Sequence, residues 1–172
     1  CHVISPPNDL NLVEANCQFC GACVDSCPTG ALSEKSSRWA GAVDRVVTTI
    51  CPYCGVGCQL KLEIKNGKIT RVVPDPEGPA NKGQACVKGK FGLEYIHHPD
   101  RLTTPLIKKD GTFVEASWEE ALDLIADKMV NYKDDQFAAI SSAKCTNEEN
   151  YVLQKFTRKV MDTNNIDHCA RL

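Results

Sequence analysis

The sequence predicts an α+β chain: two small cysteine-centred modules, then the opening of an α/β domain. Nine of the eleven cysteines fall within the first 86 residues, in tight runs. From Val46 the chain alternates apolar and polar residues around Asn66-Gly67, which is the pattern of paired strands. Beyond Ser117 the apolar spacing becomes helical, and a short apolar run separates two helical segments, as in the first βα unit of an α/β domain.

Composition narrows the class further. A chain of 172 residues suits one ordinary domain or two small ones. Net charge is −2 with 24% charged residues. There is neither a basic stretch for nucleic acid nor an acidic solvating block. The longest apolar runs fall far short of the ~18 residues of a membrane span. The odd cysteine count and the two- and three-residue gaps favour metal ligation over a disulfide framework. Such thiols must stay reduced, so the cytoplasm is the expected compartment. Because the chain begins with Cys1, a targeting segment upstream would not be visible.

The elements follow in order. Residues 1–36 read as a cysteine-rich module with "SPPND" as a loop, and "SEKSSRWAGAV" (33–43) as a connector. "QLKLEIK", Asn66-Gly67 and "KITRVV" make a hairpin over 59–73 with a type I′ turn. Pro74, Pro76, Gly78 and Pro79 form a loop ahead of Cys86. A second hairpin over 105–116 turns at Asp110-Gly111. Ser117 with Glu120 forms a capping box for the helix "WEEALDLIADKMVNY". "FAAISSA" (137–143) is expected to be a short buried strand. Thr146 with Glu149 caps the helix "NEENYVLQKFTRKVM".

The first cysteine run, "CQFCGACVDSCPTGAL", places Cys17, Cys20, Cys23 and Cys27 at C-x2-C-x2-C-x3-C, followed by Pro28. Thiolates this close can cap the irons of a cubane, with Gly21 and Ala22 letting the backbone approach. Structural zinc normally uses two CxxC pairs set apart by a longer spacer. The run therefore reads as a [4Fe-4S] ferredoxin signature, whose fourth cysteine ligates the other cluster in two-cluster modules. On that rule Cys27 serves a further cluster, and Cys1 completes the set with Cys17, Cys20 and Cys23. The alternative is one cluster held by Cys17 to Cys27, with Cys1 a free thiol.

The second set is Cys51, Cys54 and Cys58, kept compact by Gly55 and Gly57, with Cys86 brought back by the 59–73 hairpin. Four thiolates suit zinc or an iron–sulfur cluster, and spacing alone leaves both open.

The motifs "TTICPYCGVGCQL", "CVKGKFGLEYIHHPDRLTTPLI" and "WEEALDLIA" resemble the start of the molybdopterin-dependent oxidoreductases. That family includes formate dehydrogenases, nitrate reductases and the large iron–sulfur subunit of respiratory complex I. The likeness runs over about residues 44–172. The segment before it resembles the N-terminal extension of multi-cluster members.

The resemblance implies a ferredoxin-like [4Fe-4S] module at 1–36 and a small β-rich Mo/W-oxidoreductase [4Fe-4S] domain at 44–102. An α/β molybdopterin-binding domain would begin at 103–172. It implies a [4Fe-4S] cluster on Cys51, Cys54, Cys58 and Cys86. Lys88 would stand between that cluster and a pterin of Mo- or W-bis(molybdopterin guanine dinucleotide), offsetting their mutual repulsion.

The tail, ending "TNNIDHCARL", is similar to the formate dehydrogenase branch. There the next residue is the cysteine or selenocysteine that ligates the metal, followed by a catalytic histidine. On that likeness the sequence is expected to be a catalytic-subunit fragment, interrupted where an in-frame UGA would encode selenocysteine. The implied role is electron relay between a formate/CO2 centre and partner subunits in a hetero-oligomer. Those partners are a flavin subunit using NAD or NADP, a hydrogenase or a ferredoxin-like subunit. The alternative is a conduit without molybdenum, like the complex I subunit; a zinc-stabilised interaction module is a third reading.

Cys145 and Cys169 read as small buried residues, and His97 and His98 as structural. His168 is not the catalytic histidine by position, and Arg171 is a residue that would face the active site.

Overall fold

The computed structural model describes residues 6–169. The chain divides into two compact units, one through Cys51 together with Gly57–Leu93, the other Pro52–Val56 with the residues from Glu94 onward. Cys1, Arg171 and Leu172 lie outside the described residues.

In the first unit, α1 (Ala22–Asp25) is a single turn within the first cysteine run. A three-stranded antiparallel sheet follows, formed by β1 (Arg45–Ile50), β2 (Gln59–Lys65) and β3 (Lys68–Pro74) in that order. The expected hairpin is β2–β3. Its turn residues have the paired positive φ values of a type I′ turn, 50° at Asn66 and 74° at Gly67. A register shift between Glu63 and Ile64 marks an irregularity in the ladder.

Alternation buries one face. Leu60 is fully buried and Val72 nearly so; a fully buried leucine contributes roughly 1.5–3 kcal/mol. After the Pro/Gly loop comes α2 (Val87–Phe91), with Cys86 at its N-cap.

The segment expected to be a connector is pinned. Glu34 is almost buried and pairs with Arg71 of β3 at 3.3 Å.

In the second unit, β4 (Leu106–Lys109) and β5 (Thr112–Glu115) form the second hairpin, turning at Asp110 and Gly111, both at positive φ. Then come α3 (Trp118–Met129), β6 (Ala139–Ser142), α4 (Asn147–Lys159) and β7 (Ile166–Cys169). Strands β6 and β7 pair in parallel around α4, which completes a βαβ unit. Phe137 and Phe156 meet edge to face at 6.2 Å. Thr157 is fully buried and donates its hydroxyl to the Leu153 carbonyl.

Three expectations need correction here. The Ser117 hydroxyl accepts from the Glu120 N–H, but the reciprocal half of the box is not formed: the Glu120 carboxylate pairs with Lys109 at 2.9 Å instead. At Thr146 both halves are present. The apolar run at 137–143 is not a fully buried strand. It is shorter, and Ile140 is 83% exposed while Ala139 is buried, because successive side chains of a strand face opposite ways and only one face here is covered. Cys145 is half-buried, not enclosed.

Among the described residues no helix is long and apolar enough to cross a membrane.

Candidate metal centres

The second cysteine set is built by the turn at the head of β2 and by the helix after the loop. The Cys51 N–H donates to the Cys58 carbonyl at 2.8 Å, closing the peptide loop between them. Cys51 is buried, and its sulfur sits 3.5 Å from where a Cβ on Gly89 would stand. The start of α2 thus lies beside the Cys51 thiol, at a distance where an added Cβ would make ordinary contact. Cys58 is half-buried and Cys86 exposed. All three belong to the first unit; half-buried Cys54 belongs to the segment grouped with the second.

Within that second unit, the Asn147 side chain at the start of α4 donates to the Gly55 carbonyl at 2.8 Å. A Cβ at Gly55 would meet Asn147 Oδ1 at 2.6 Å. Tyr53 meets Tyr95 edge to face.

The Cys86 thiol is biased towards ionisation. Its pKa is lowered chiefly by the Gly89 N–H, against the opposing effect of burial, with help from the Lys88 N–H and the Lys88 charge. These are the free amides of a helix N-terminus turned towards a sulfur anion. Lys88 itself is exposed, and among the described residues its ammonium enters no ion pair.

The loop that returns the chain to Cys86 is locked to the first residue of β2. Gln59 N–H donates to Asn81 Oδ1 at 2.8 Å, and Asn81 Nδ2 donates to the Gln59 carbonyl at 3.1 Å and to the Gln84 carbonyl at 2.8 Å. Asp75, buried, receives Lys61 at 2.8 Å, the Glu77 N–H and the Gln59 amide. The Lys61 hydrogen bond leads in holding its carboxyl below the ordinary range.

In the first set, Cys17, Cys20 and Cys27 are half-buried and Cys23 is exposed. The Phe19 N–H lies 3.4 Å from Cys17 Sγ and the Leu32 N–H 3.4 Å from Cys27 Sγ. The Leu32 amide, then the Thr29 hydroxyl, lower the Cys27 pKa to about 7.

Thiols receiving backbone N–H groups, on loops kept open by glycine, fit an iron–sulfur group, whose sulfurs are tuned by such bonds. Among the described residues, no three Cys, His, Asp or Glu side chains gather as they would around one metal ion. His98 faces Asp100 at 3.7 Å.

One group escaped the sequence reading. Lys90, two residues beyond Lys88, has a fully buried side chain whose ammonium pairs with Asp25 and Glu34, each at 2.7 Å. Arg71 shares both carboxylates. Burial opposes its charge, but the Asp25 hydrogen bond and the nearby acids outweigh that and raise its pKa. Nothing in local spacing marks Lys90; only its four-residue offset from Cys86, one helical turn, hints at it.

Comparison with known proteins gives the family. Residues 44–98 match the family model described as molybdopterin oxidoreductase Fe4S4 domain, and residues 101–172 the one described as molybdopterin oxidoreductase. The chain belongs to the molybdopterin oxidoreductases. Residues 11–33 also match a 4Fe-4S binding domain.

The chain is 55% identical over 128 residues to F420-dependent formate dehydrogenase 2 subunit alpha of Methanococcus maripaludis, covering 74% of this chain and 19% of that one. It is 53% identical over 128 residues to F420-dependent formate dehydrogenase subunit alpha of Methanocaldococcus jannaschii, with the same coverage. This molybdopterin oxidoreductase chain therefore spans about a fifth of the length of the curated relatives it matches. Its fold is that of the family's opening modules: a 4Fe-4S segment, the Fe4S4 domain, then the start of the molybdopterin domain.

Proposed function

We propose that this chain is the N-terminal part of a formate dehydrogenase catalytic subunit, relaying electrons between a Mo- or W-bis(molybdopterin guanine dinucleotide) centre and partner subunits. The observation that carries the reading is the identity of more than half the aligned residues with formate dehydrogenase alpha subunits, over a span that includes Cys51 to Cys86. When bound, the pterin–metal group supplies the two-electron interconversion of formate and CO2, and [4Fe-4S] clusters supply one-electron transfer.

Cys51, Cys54, Cys58 and Cys86 hold the cluster next to the cofactor. The amides at the start of α2 lower the Cys86 pKa and so favour the thiolate that task needs. Lys88, free of ion pairs among the described residues, presents its charge between cluster and pterin. Cys17, Cys20 and Cys23, with Cys1, hold a second cluster, and Cys27 serves a further one. The corresponding domains are 1–36, 44–102 and 103–172. Electrons leave to a flavin subunit using NAD or NADP, a hydrogenase or a ferredoxin-like subunit. Thiols that must stay reduced favour the cytoplasm.

Metal analysis of the complete protein, purified without oxygen, tests the reading. Mo or W at about one per chain, with formate-dependent dye reduction, is the expected result. Iron and sulfide without Mo or W would overturn it in favour of a pure electron conduit.

A further inference from the structure

The Lys90 side chain has no solvent exposure, an uncommon state for lysine that requires opposite charges around the ammonium. Its position joins the two cysteine sets. On the helix side, the Lys90 N–H donates to the Cys86 carbonyl at 3.0 Å, so the residue sits one turn from that thiol.

On the other side, its stem runs against Gly21, between Cys20 and Cys23. A Cβ on Gly21 would stand 2.8 Å from Lys90 Cε and 2.9 Å from Cγ. The ammonium donates to Asp25 Oδ1 at 2.7 Å and to the Val72 carbonyl at 2.6 Å, and pairs with Glu34 at 2.7 Å. Asp25 lies between Cys23 and Cys27, and Glu34 follows Cys27. One side chain of α2 therefore touches the sheet, the interior of the first cysteine run and the segment that follows it.

We propose that Lys90 is the positioning residue that fixes the Cys17/Cys20/Cys23 set against the helix carrying Cys86, and so sets the passage of electrons between the two clusters. The proposal rests on the reading of both sets as cluster ligands. Replacing a whole buried ion cluster by apolar residues of similar volume is often neutral or stabilising, so the cluster of Lys90 with Asp25 and Glu34 is not accounted for by stability alone. A charged pin specifies register, because the ammonium must meet Asp25 Oδ1 and Glu34 Oε1 together. One-electron transfer falls steeply with separation, so that register governs its rate. The buried positive charge also favours the reduced, more negative state of a nearby cluster.

The test compares the complete protein, purified without oxygen, with Lys90→Met, Lys90→Arg and Asp25→Asn/Glu34→Gln. Three properties are read: iron and sulfide per chain, EPR and midpoint potentials of the reduced clusters, and amide hydrogen exchange. In Lys90→Met, exchange should rise over residues 17–34 while residues 59–74 stay protected. Magnetic interaction between the two reduced clusters should weaken, and one midpoint potential should become more negative. Lys90→Arg should restore the interaction. Asp25→Asn/Glu34→Gln should loosen the same segment from its other side.

Unchanged exchange, coupling and potentials in Lys90→Met overturn the proposal, as does an equal loss of protection across the sheet. Should Lys90→Met fail to fold, Asp25→Asn/Glu34→Gln decides by the same readouts, because it leaves the Lys90 stem and its bond to Val72 in place. Wild-type protein without iron and sulfide would instead overturn the cluster reading, while the exchange comparison still reads the clamp.

Discussion

Asn81 and Gln59 hold each other by two hydrogen bonds, the side-chain amide of one completing the backbone pairing of the other at 2.8 and 3.1 Å. A loop side chain thus adds to the backbone pairing of the residue following Cys58, whose carbonyl also accepts the Asp75 N–H at 2.9 Å. The loop that carries Cys86 is anchored beside the start of β2 without needing a strand of its own.

Replacing Asn81 with alanine should remove both bonds and the one to Gln84; the Gln59 carbonyl keeps the Asp75 N–H, so the half-buried Gln59 N–H is the group left without its partner, at a cost of about 1 kcal/mol. Urea unfolding should show the loss as a lower midpoint. Iron bound by the second cysteine set should fall with it, measured against the untouched first set.

Asp75 links this loop to acid stability. Its carboxyl is held below the usual range, led by the Lys61 hydrogen bond. The carboxyl therefore binds a proton more readily in the unfolded chain than in the folded one. Its contribution is complete above the unfolded value of about 4 and is lost as pH falls through the lower folded value. Asp75→Asn should make unfolding less dependent on pH in that acid window, with little change in slope near neutrality. Denaturant midpoints measured from pH 6 downwards would show it.

The two helix starts should respond differently. Thr146→Ala should cost about 1 kcal/mol by loss of the cap, and Glu149→Ala should add a measurable loss because its carboxylate returns to the Thr146 N–H at 2.7 Å. Glu120→Ala should cost no more than a surface ion pair, about 0–1 kcal/mol, since its partner is the exposed Lys109. Urea unfolding monitored by circular dichroism separates these values.

Cys27, with a pKa of about 7, should be alkylated in the metal-free protein at a rate half-maximal near neutrality, rising with pH as the thiolate forms. Thr29→Val removes the hydroxyl partner and should move that midpoint upward. Iodoacetamide labelling read by peptide mass spectrometry gives both curves.

What the sequence disclosed was what local chemistry enforces. Asn66-Gly67 and Asp110-Gly111 demand positive φ in succession, so both hairpins were legible. Thr146 with Glu149 and the cysteine spacings were equally so, because each motif is complete within a few residues. The missing half of the Ser117 box was not, since Lys109 reaches Glu120 from another element. Strand β7 had no hairpin turn to announce it; a parallel partner arrives by way of a helix. Lys90 was hidden for the same reason in stronger form, as its partner Asp25 lies 65 positions earlier. The exposure of Ile140 could not be read from an apolar run, because the run does not say which face is covered.

The bond between Asn147 and Gly55, 92 positions apart, bears on how such proteins can be recombined. Residues 44–98 look like a portable cassette, matching a family model of their own. Yet the space at position 55 is already taken by a side chain outside that cassette. A larger residue at 55 would push the exposed Asn147 amide aside and break its bond to the Gly55 carbonyl, so the junction would lose that tie rather than its fold. Exchange between family members is therefore expected to favour keeping glycine at 55 together with asparagine at 147.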